Sequence, residues 1–271
     1  MPDSSRPRIL CIANQKGGVG KTTTTINLGA ALAGKGYNVL VLDLDPQGNA
    51  STGLGLAPED RTLTSYDLIL EDVELAAVIQ PTQIPRLFLA PASSDLSSTD
   101  MELVAHEKRI FQLNDALQDP ANAALDLDFV LIDCPPSLNL LTVNALVSAH
   151  AVMIPLQAEF FALEGLSQLI LSVREVRQAA NPELQIEGVV LTMYDTRNNL
   201  ARQVEADARE NLGDLVFKTC IPRNVRISEA PSYAMSVLDY DPASKGAIAY
   251  KSLATELLSR QANRQKEVQH D

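Results

Sequence analysis

Short continuous apolar runs recur along the chain, each closing in a polar turn. Arg8–Asn14 (RILCIAN), Asn38–Asp43 (NVLVLD), Arg86–Ala90 (RLFLA), Phe129–Asp133 (FVLID), Ala151–Pro155 (AVMIP) and Ile186–Met193 (IEGVVLTM) have this form. Leu215–Thr219 (LVFKT) is a weaker, more alternating candidate. Runs this short, with no polar alternation, predict strands covered on both faces, as in a parallel sheet. The intervening stretches Lys21–Ala33, Met101–Leu117, Leu163–Ala180 and Leu200–Leu212 predict helices. This order predicts an α/β fold: a single doubly wound, mostly parallel sheet with helices on both faces.

No long linker divides the chain. Leu56–Thr64 and Ala92–Thr99 are polar but only loop-length. The expected layout is one domain over residues 9–258, a flexible N-terminal arm over 1–8 and a polar tail over 259–271 that frays after the last helix. The composition, 46% hydrophobic and 21% charged, fits an ordinary globular protein and excludes wholesale disorder. The net charge of −12 disfavours a surface coated in positive potential. A local basic patch remains possible, because screening confines charge effects to about 10 Å. Trp is absent and aromatics make up 4%, so aromatic stacking is not expected to dominate binding. Cys11, Cys134 and Cys220 have no pairwise metal or redox spacing and read as reduced core thiols. Nothing resembles a signal peptide or a membrane span, so a soluble, cytoplasmic protein is expected.

The most informative segment is Lys16–Thr23, KGGVGKTT, between a predicted strand and a predicted helix. Glycines let successive N–H groups turn inward toward an anion, and the helix N-terminus adds partial positive charge. Lys21 would reach the β- and γ-phosphates of a nucleotide, and the Thr22 hydroxyl would meet Mg2+. The common phosphate-loop pattern needs Gly at position 15, where this chain has Gln15; it carries a second lysine, Lys16, before Gly17 and Gly18. Two further features lie where ligands bind in open α/β sheets. Asp43 and Asp45 close the second strand, with side chains expected on opposite faces. Asp133 closes FVLI and precedes Cys134, Pro135 and Pro136, whose prolines stiffen the turn.

KGGVGKTT is the deviant Walker A motif, and the chain resembles the ParA/MinD group of P-loop ATPases, most of all the chromosomal ParA (Soj) branch. The resemblance spans roughly Ile9 to Leu258 and rests also on DLDPQGNAS (Asp43–Ser51), IDCPPSLNLLTVNAL (Ile132–Leu146), FFALEGL (Phe160–Leu166), GVVLTMYDTR (Gly188–Arg197) and IPRNVRISEAPS (Ile221–Ser232). It implies an ATP- and Mg2+-dependent DNA-segregation ATPase that is slow without a ParB-type activator. ATP would be held by Lys16, Gly17, Gly18, Val19, Gly20, Lys21, Thr22 and Thr23, with Pro222 and Asn224 at the adenine. Lys16 would cross to the partner's phosphates in an ATP-dependent homodimer. Asp45 would position the attacking water, and Thr22, Asp45 and Asp133 would order Mg2+, partly through water. Asp43 would face the loop and support the metal shell. Asp43, Gln47 and Asn49 would form one switch and Pro135 a second. Arg197 and Arg226 would contact double-stranded DNA through its phosphates, without sequence preference.

One departure concerns Tyr233–Ser236, where many relatives carry a lysine; the expected DNA surface is weakened accordingly. Arg6 and Arg8 would either meet the activator or be solvated. A membrane-binding relative would need a C-terminal amphipathic helix, and Arg260–Asp271 has only Ala262 and Val268 as apolar residues. An iron–sulfur carrier would need cysteines placed to bridge two subunits. A cargo-positioning ATPase remains the main alternative.

Overall fold

Strands apolar at every position need cover on both sides, and the computed structural model supplies it. It describes residues 6–104, 106–159 and 162–268. Seven strands form one sheet: β1 (Arg8–Ile12), β2 (Val39–Asp43), β3 (Gln80–Pro81), β4 (Leu87–Ala90), β5 (Phe129–Asp133), β6 (Ala151–Gln157) and β7 (Gln185–Thr192). Their order is β3-β4-β2-β5-β1-β6-β7, parallel except for the short β3, which pairs antiparallel with β4. The helices in chain order are α1 (Lys21–Ala33), α2 (Asn49–Gly53), α3 (Ser65–Leu70), α4 (Leu75–Val78), α5 (Thr99–Leu103) and α6 (Gln112–Gln118). They continue with α7 (Leu140–Ser148), α8 (Ala162–Ala179), α9 (Asn199–Leu212), α10 (Val225–Glu229), α11 (Val237–Tyr240) and α12 (Lys245–Val268).

Alternate strand residues feed two cores, as the two-residue period of a strand requires. Leu10, Ile12, Val41 and Leu131 pack with Ile26 and Leu28 of α1 and with Tyr250 and Leu253 of α12. Ile9, Cys11, Leu40 and Ile132 pack with Leu113, Leu141, Leu169 and Val204 of α6, α7, α8 and α9. The doubly wound, mostly parallel architecture is the one the pattern predicts.

Three local expectations fail, each for a physical reason. Met101–Leu117 is not one helix: α5 ends at Leu103 and α6 begins at Gln112. Buried Asn144 pins the turn between them, accepting from Leu113 N (3.2 Å) and donating to Arg109 O (2.9 Å). Leu215–Thr219 is not a strand. A 3-10 turn covers Gly213–Leu215, and a single bridge joins Val216 to Val189. Phe217 N still donates to Val189 O (2.9 Å), but the N–H groups of Lys218 and Thr219 are given to the Glu256 carboxylate (2.7 and 2.9 Å), so the pairing does not extend into a strand.

The expected fraying from Ser259 does not occur over the described residues, since α12 runs to Val268. Its polar residues are anchors. Arg260 donates to Val216 O (3.0 Å) and lies over the Phe217 ring. Arg264 meets the fully buried Glu187, which also holds Arg8 at 2.9 Å. Removing both arginines would cost on the order of 3 kcal/mol or more, because only then does an unpaired charge remain inside. Arg6 donates to Gln118, so both arginines of the arm have partners in this chain. The rest of the arm (1–5), the end of the tail (269–271) and Phe160 and Phe161 of the FFALEGL segment lie outside the described residues.

Candidate nucleotide site

The parallel sheet brings the C-terminal ends of β1, β2, β5 and β6 to one edge, and the phosphate loop turns there between β1 and α1. Its entry is fixed by Asn14, which is buried. Asn14 donates to Pro155 O on β6 (2.7 Å) and accepts from Lys16 N (3.0 Å). Its far side is fixed by Thr192 at the end of β7, whose hydroxyl donates to Val19 O (2.8 Å). Gly20 caps α1 at φ 88°, a left-handed conformation that a side chain would strain. The loop is therefore braced before any ligand arrives.

The two lysines occupy different environments. Lys21, at the first position of α1, is 6% exposed, and its Nζ donates to Lys16 O (3.2 Å). Burial pulls its pKa below the ordinary lysine value, while Asp133 and Asp45 work against that shift. Lys16 stands at the lip with a side chain 41% exposed, and its Nζ pairs with Glu159 Oε2 at 3.0 Å. Glu159 follows β6, so the lip and the β6 end are joined by this pair and by the Asn14–Pro155 bond.

Register places Asp43 beside Asp133 on neighbouring strands, which puts both carboxyls on one face. Both are fully buried. Burial, with Asp43 alongside, pushes Asp133 up to about 8; the Thr22 and Thr25 hydroxyls partly offset this. Asp133 Oδ1 accepts from Thr25 Oγ1 (3.1 Å), and Oδ2 has no partner. Burial likewise pushes Asp43 up to about 6 against its hydrogen bonds. Its oxygens are spent on Ser51 N (2.9 Å), Ser51 Oγ (2.7 Å) and Asp45 N (3.1 Å), so it orders the turn from behind and does not line the cavity. Asp45 reaches the cavity, and its Oδ1 accepts from Gln47 N (3.0 Å).

The loop opens onto a cavity of about 520 Å3. Gly17, Gly18, Gly20, Lys21, Thr22 and Thr23 line one wall, and Asp45, Gln47 and Asn49 the other. Val19 is buried beneath it. Of the two prolines after Asp133, Pro135 is buried and the exposed Pro136 meets the cavity. Met193, in a left-handed conformation at φ 50°, and Pro231 close the remaining side.

Pro222 and Asn224 do not line this cavity. Pro222 faces a neighbouring cleft with Tyr194, Arg223 and Lys245. Asn224 caps α10, its Oδ1 accepting from Arg226 N (2.8 Å). The two arginines expected at DNA are already paired. Arg197 is 88% exposed and held by Asp195 at 3.0 Å, and it pulls that carboxyl below its ordinary range. Arg226 meets Glu229 (2.9 Å) and Asp241 (3.4 Å).

Asn14, Thr25, Ser51 and Thr192 escaped the sequence reading, although each supports the site. Only Asn14 and Thr192 left a signal, being polar residues at the ends of apolar strands. Spacing along the chain also hid the contact between the Cys11 and Cys134 thiols, which lie 3.2 Å apart on β1 and after β5.

A hard divalent cation fits the donor set. The orphaned Asp133 Oδ2 is a buried carboxyl oxygen that a cation would draw into its charged form, with Thr22 and Asp45 nearby. Among the described residues no three His, Cys, Asp or Glu side chains converge so as to hold a metal ion by themselves, so phosphate and water oxygens would have to complete the shell. Among the described residues no helix is long and apolar enough to cross a membrane.

The AAA-domain family profile matches residues 7–186. The chain is 53% identical to the chromosome partitioning protein ParA of Caulobacter vibrioides, over 95% of this chain and 96% of that one. It is 48% identical to the sporulation initiation inhibitor protein Soj of Bacillus subtilis, over 92% and 98%. Among solved structures, it superposes with a TM-score of 0.81 on the cobyrinic acid a,c-diamide synthase of Mycobacterium smegmatis with bound ADP and magnesium. That protein is 38% identical, over 94% of this chain and 96% of the other. The braced phosphate loop, the paired strand-end acids and these likenesses agree: the chain belongs to the ParA/Soj family of chromosome-partitioning ATPases.

Proposed function

We propose that this protein is a Mg2+-dependent, DNA-segregating ATPase whose ATP-bound form is a homodimer. The observation that carries this is the contrast within the loop. Lys21 is buried where its own subunit's phosphates would lie, and Lys16 is at the lip, free to swing outward once Glu159 lets go. An exposed ion pair of this kind is worth only about 0–1 kcal/mol, so nucleotide on a facing subunit would outcompete it.

Lys21, together with the loop N–H groups, neutralises the phosphates in a site from which water is largely excluded, where Coulomb attraction is strong. Asp45 accepts a hydrogen bond from the attacking water and orients it in line with the γ-phosphate. Thr22, with Asp45 and Asp133 acting partly through water, would hold Mg2+, which offsets the charge of the β- and γ-phosphates. Positioning dominates, so turnover is slow until a ParB-type activator completes the site. Pro222, from the neighbouring cleft, and Asn224, at the start of α10, hold the adenine. Arg197 and Arg226 exchange their acidic partners for DNA phosphates, and a dimer presents twice as many, coupling nucleotide state to DNA affinity. The protein then works in the cytoplasm, on the nucleoid. The higher identity to a partition protein than to the diamide synthase, 53% against 38%, supports this reading.

The test is sedimentation, ATPase and DNA binding with ATP, ADP and no nucleotide, over a salt series. Lys16→Ala should keep nucleotide binding but lose the ATP-dependent dimer, most of the turnover and ATP-dependent DNA binding. A variant that dimerises and hydrolyses like wild type defeats the reading.

A further inference from the structure

The wall of the cavity that carries Asp45, Gln47 and Asn49 has little support of its own. α2 has only five residues, too few to pay the cost of helix nucleation alone. Its N-cap, Gly48, offers no side chain. Arg61, just after the 3-10 turn Pro58–Asp60, supplies the missing contacts. Its Nη2 donates to Gly48 O (3.2 Å), Thr52 Oγ1 (2.8 Å) and Leu56 O (3.0 Å). Its Nη1 donates to Ala92 O (3.0 Å), beyond the end of β4.

Ala92 also donates its N–H to Ser51 Oγ (3.0 Å), the hydroxyl held by Asp43. One residue after β4 thus anchors the wall twice, from beneath through Ser51 and from outside through Arg61. Gly48 is the residue that permits this. Its φ is 60°, and a Cβ there would lie 2.1 Å from Arg61 Nη1. Gly48 N in turn donates to Asp45 O (2.8 Å), so the guanidinium is one residue's contact away from the turn that sets Asp45. None of the groups that Arg61 bonds belongs to the phosphate loop.

We propose that Arg61 is a positioning residue for ATP hydrolysis: its forked hydrogen bonds hold the Gly48–Leu56 wall against the β4 end and so fix Asp45 and Gln47 over the phosphates. This rests on the reading that Asp45 orients the attacking water. Lysine would keep the charge but not the planar fork that spans several acceptors at once.

The experiment compares full-length wild type, Arg61→Ala, Arg61→Lys and Thr52→Val for Mg2+-ATP turnover and for equilibrium binding of ADP. Arg61→Ala should lower kcat about tenfold with the ADP Kd within about threefold, since binding resides in the loop and alignment in the wall. Arg61→Lys should recover less than half of the loss. Thr52→Val, which removes one acceptor and leaves the core intact, should lower kcat about twofold.

Parallel losses of kcat and ADP affinity in both arginine variants would reduce Arg61 to a stability role and overturn the proposal. So would an unchanged kcat in Thr52→Val, which decides the matter if Arg61→Ala does not fold. Lys16→Ala, run alongside, separates the two claims. Wild-type turnover in Lys16→Ala defeats the dimer reading, whereas its loss together with wild-type turnover in Arg61→Ala defeats the present proposal alone.

Discussion

The floor of the phosphate loop and the outer edge of the molecule between β7 and α12 both carry cations, under opposite conditions. At the floor, Lys21 is buried, the backbone is braced by Asn14 and Thr192, and two acids wait with raised pKa values. At the edge, Arg197 and Arg226 are exposed and already satisfied by Asp195, Glu229 and Asp241. The floor is organised before its ligand arrives, at a cost in desolvation that the ligand would relieve. The edge is organised against itself, so its cations become available only by giving up local partners. A buried cation sets affinity, and an exposed, paired one sets a weaker response that salt can tune.

The largest effect should come from the floor. Lys21→Ala removes the floor's buried cation and should weaken ATP binding by at least about 100-fold, measured with a fluorescent nucleotide. A loss below about tenfold would place Lys21 with the exposed cations and erase the contrast. At the edge, replacing both Arg197 and Arg226 with Ala should abolish most ATP-dependent DNA binding and make the remaining salt dependence shallower by about 0.9 in log–log slope per lost contact. Nucleotide affinity should stay within about twofold; a larger change would mean the edge is part of the floor.

The smallest expected effect is on stability. The folded state keeps Asp133 protonated up to about pH 8, whereas the unfolded chain releases that proton near its ordinary carboxylate value. The unfolded state therefore binds fewer protons across that interval, so the nucleotide-free protein loses stability as pH rises from about 4 to about 8 and levels off above. Asp43 contributes in the same direction up to about pH 6. Asp133→Asn should flatten this trend in Tm by a few degrees. An unchanged slope would show that burial does not burden the floor.

Much of the frame was legible in the chain. The apolar runs gave six of the strands because a buried parallel strand leaves no polar gap to misread; β3 is two residues of an antiparallel edge and has no pattern to find. KGGVGKTT gave the loop because its glycines and lysines serve local needs. What failed was set by distant partners. The break between α5 and α6 depends on Asn144, and the persistence of α12 depends on Glu187 and Phe217. The partners of Asp43, Ser51 and the backbone of Asp45, were likewise hidden, because the turn after β2 brings them to it.

The sequence by itself determined that a parallel sheet would carry a phosphate loop with acids at its rim, since helix, strand and glycine turn follow from neighbours a few residues apart. The tertiary structure alone decided which acid faces the cavity and which lies behind it, that Lys16 rests on Glu159, and that Arg61 ties the wall to β4. Those outcomes depend on desolvation and on hydrogen bonds between groups far apart in the chain, and neither quantity exists until the sheet has closed over them.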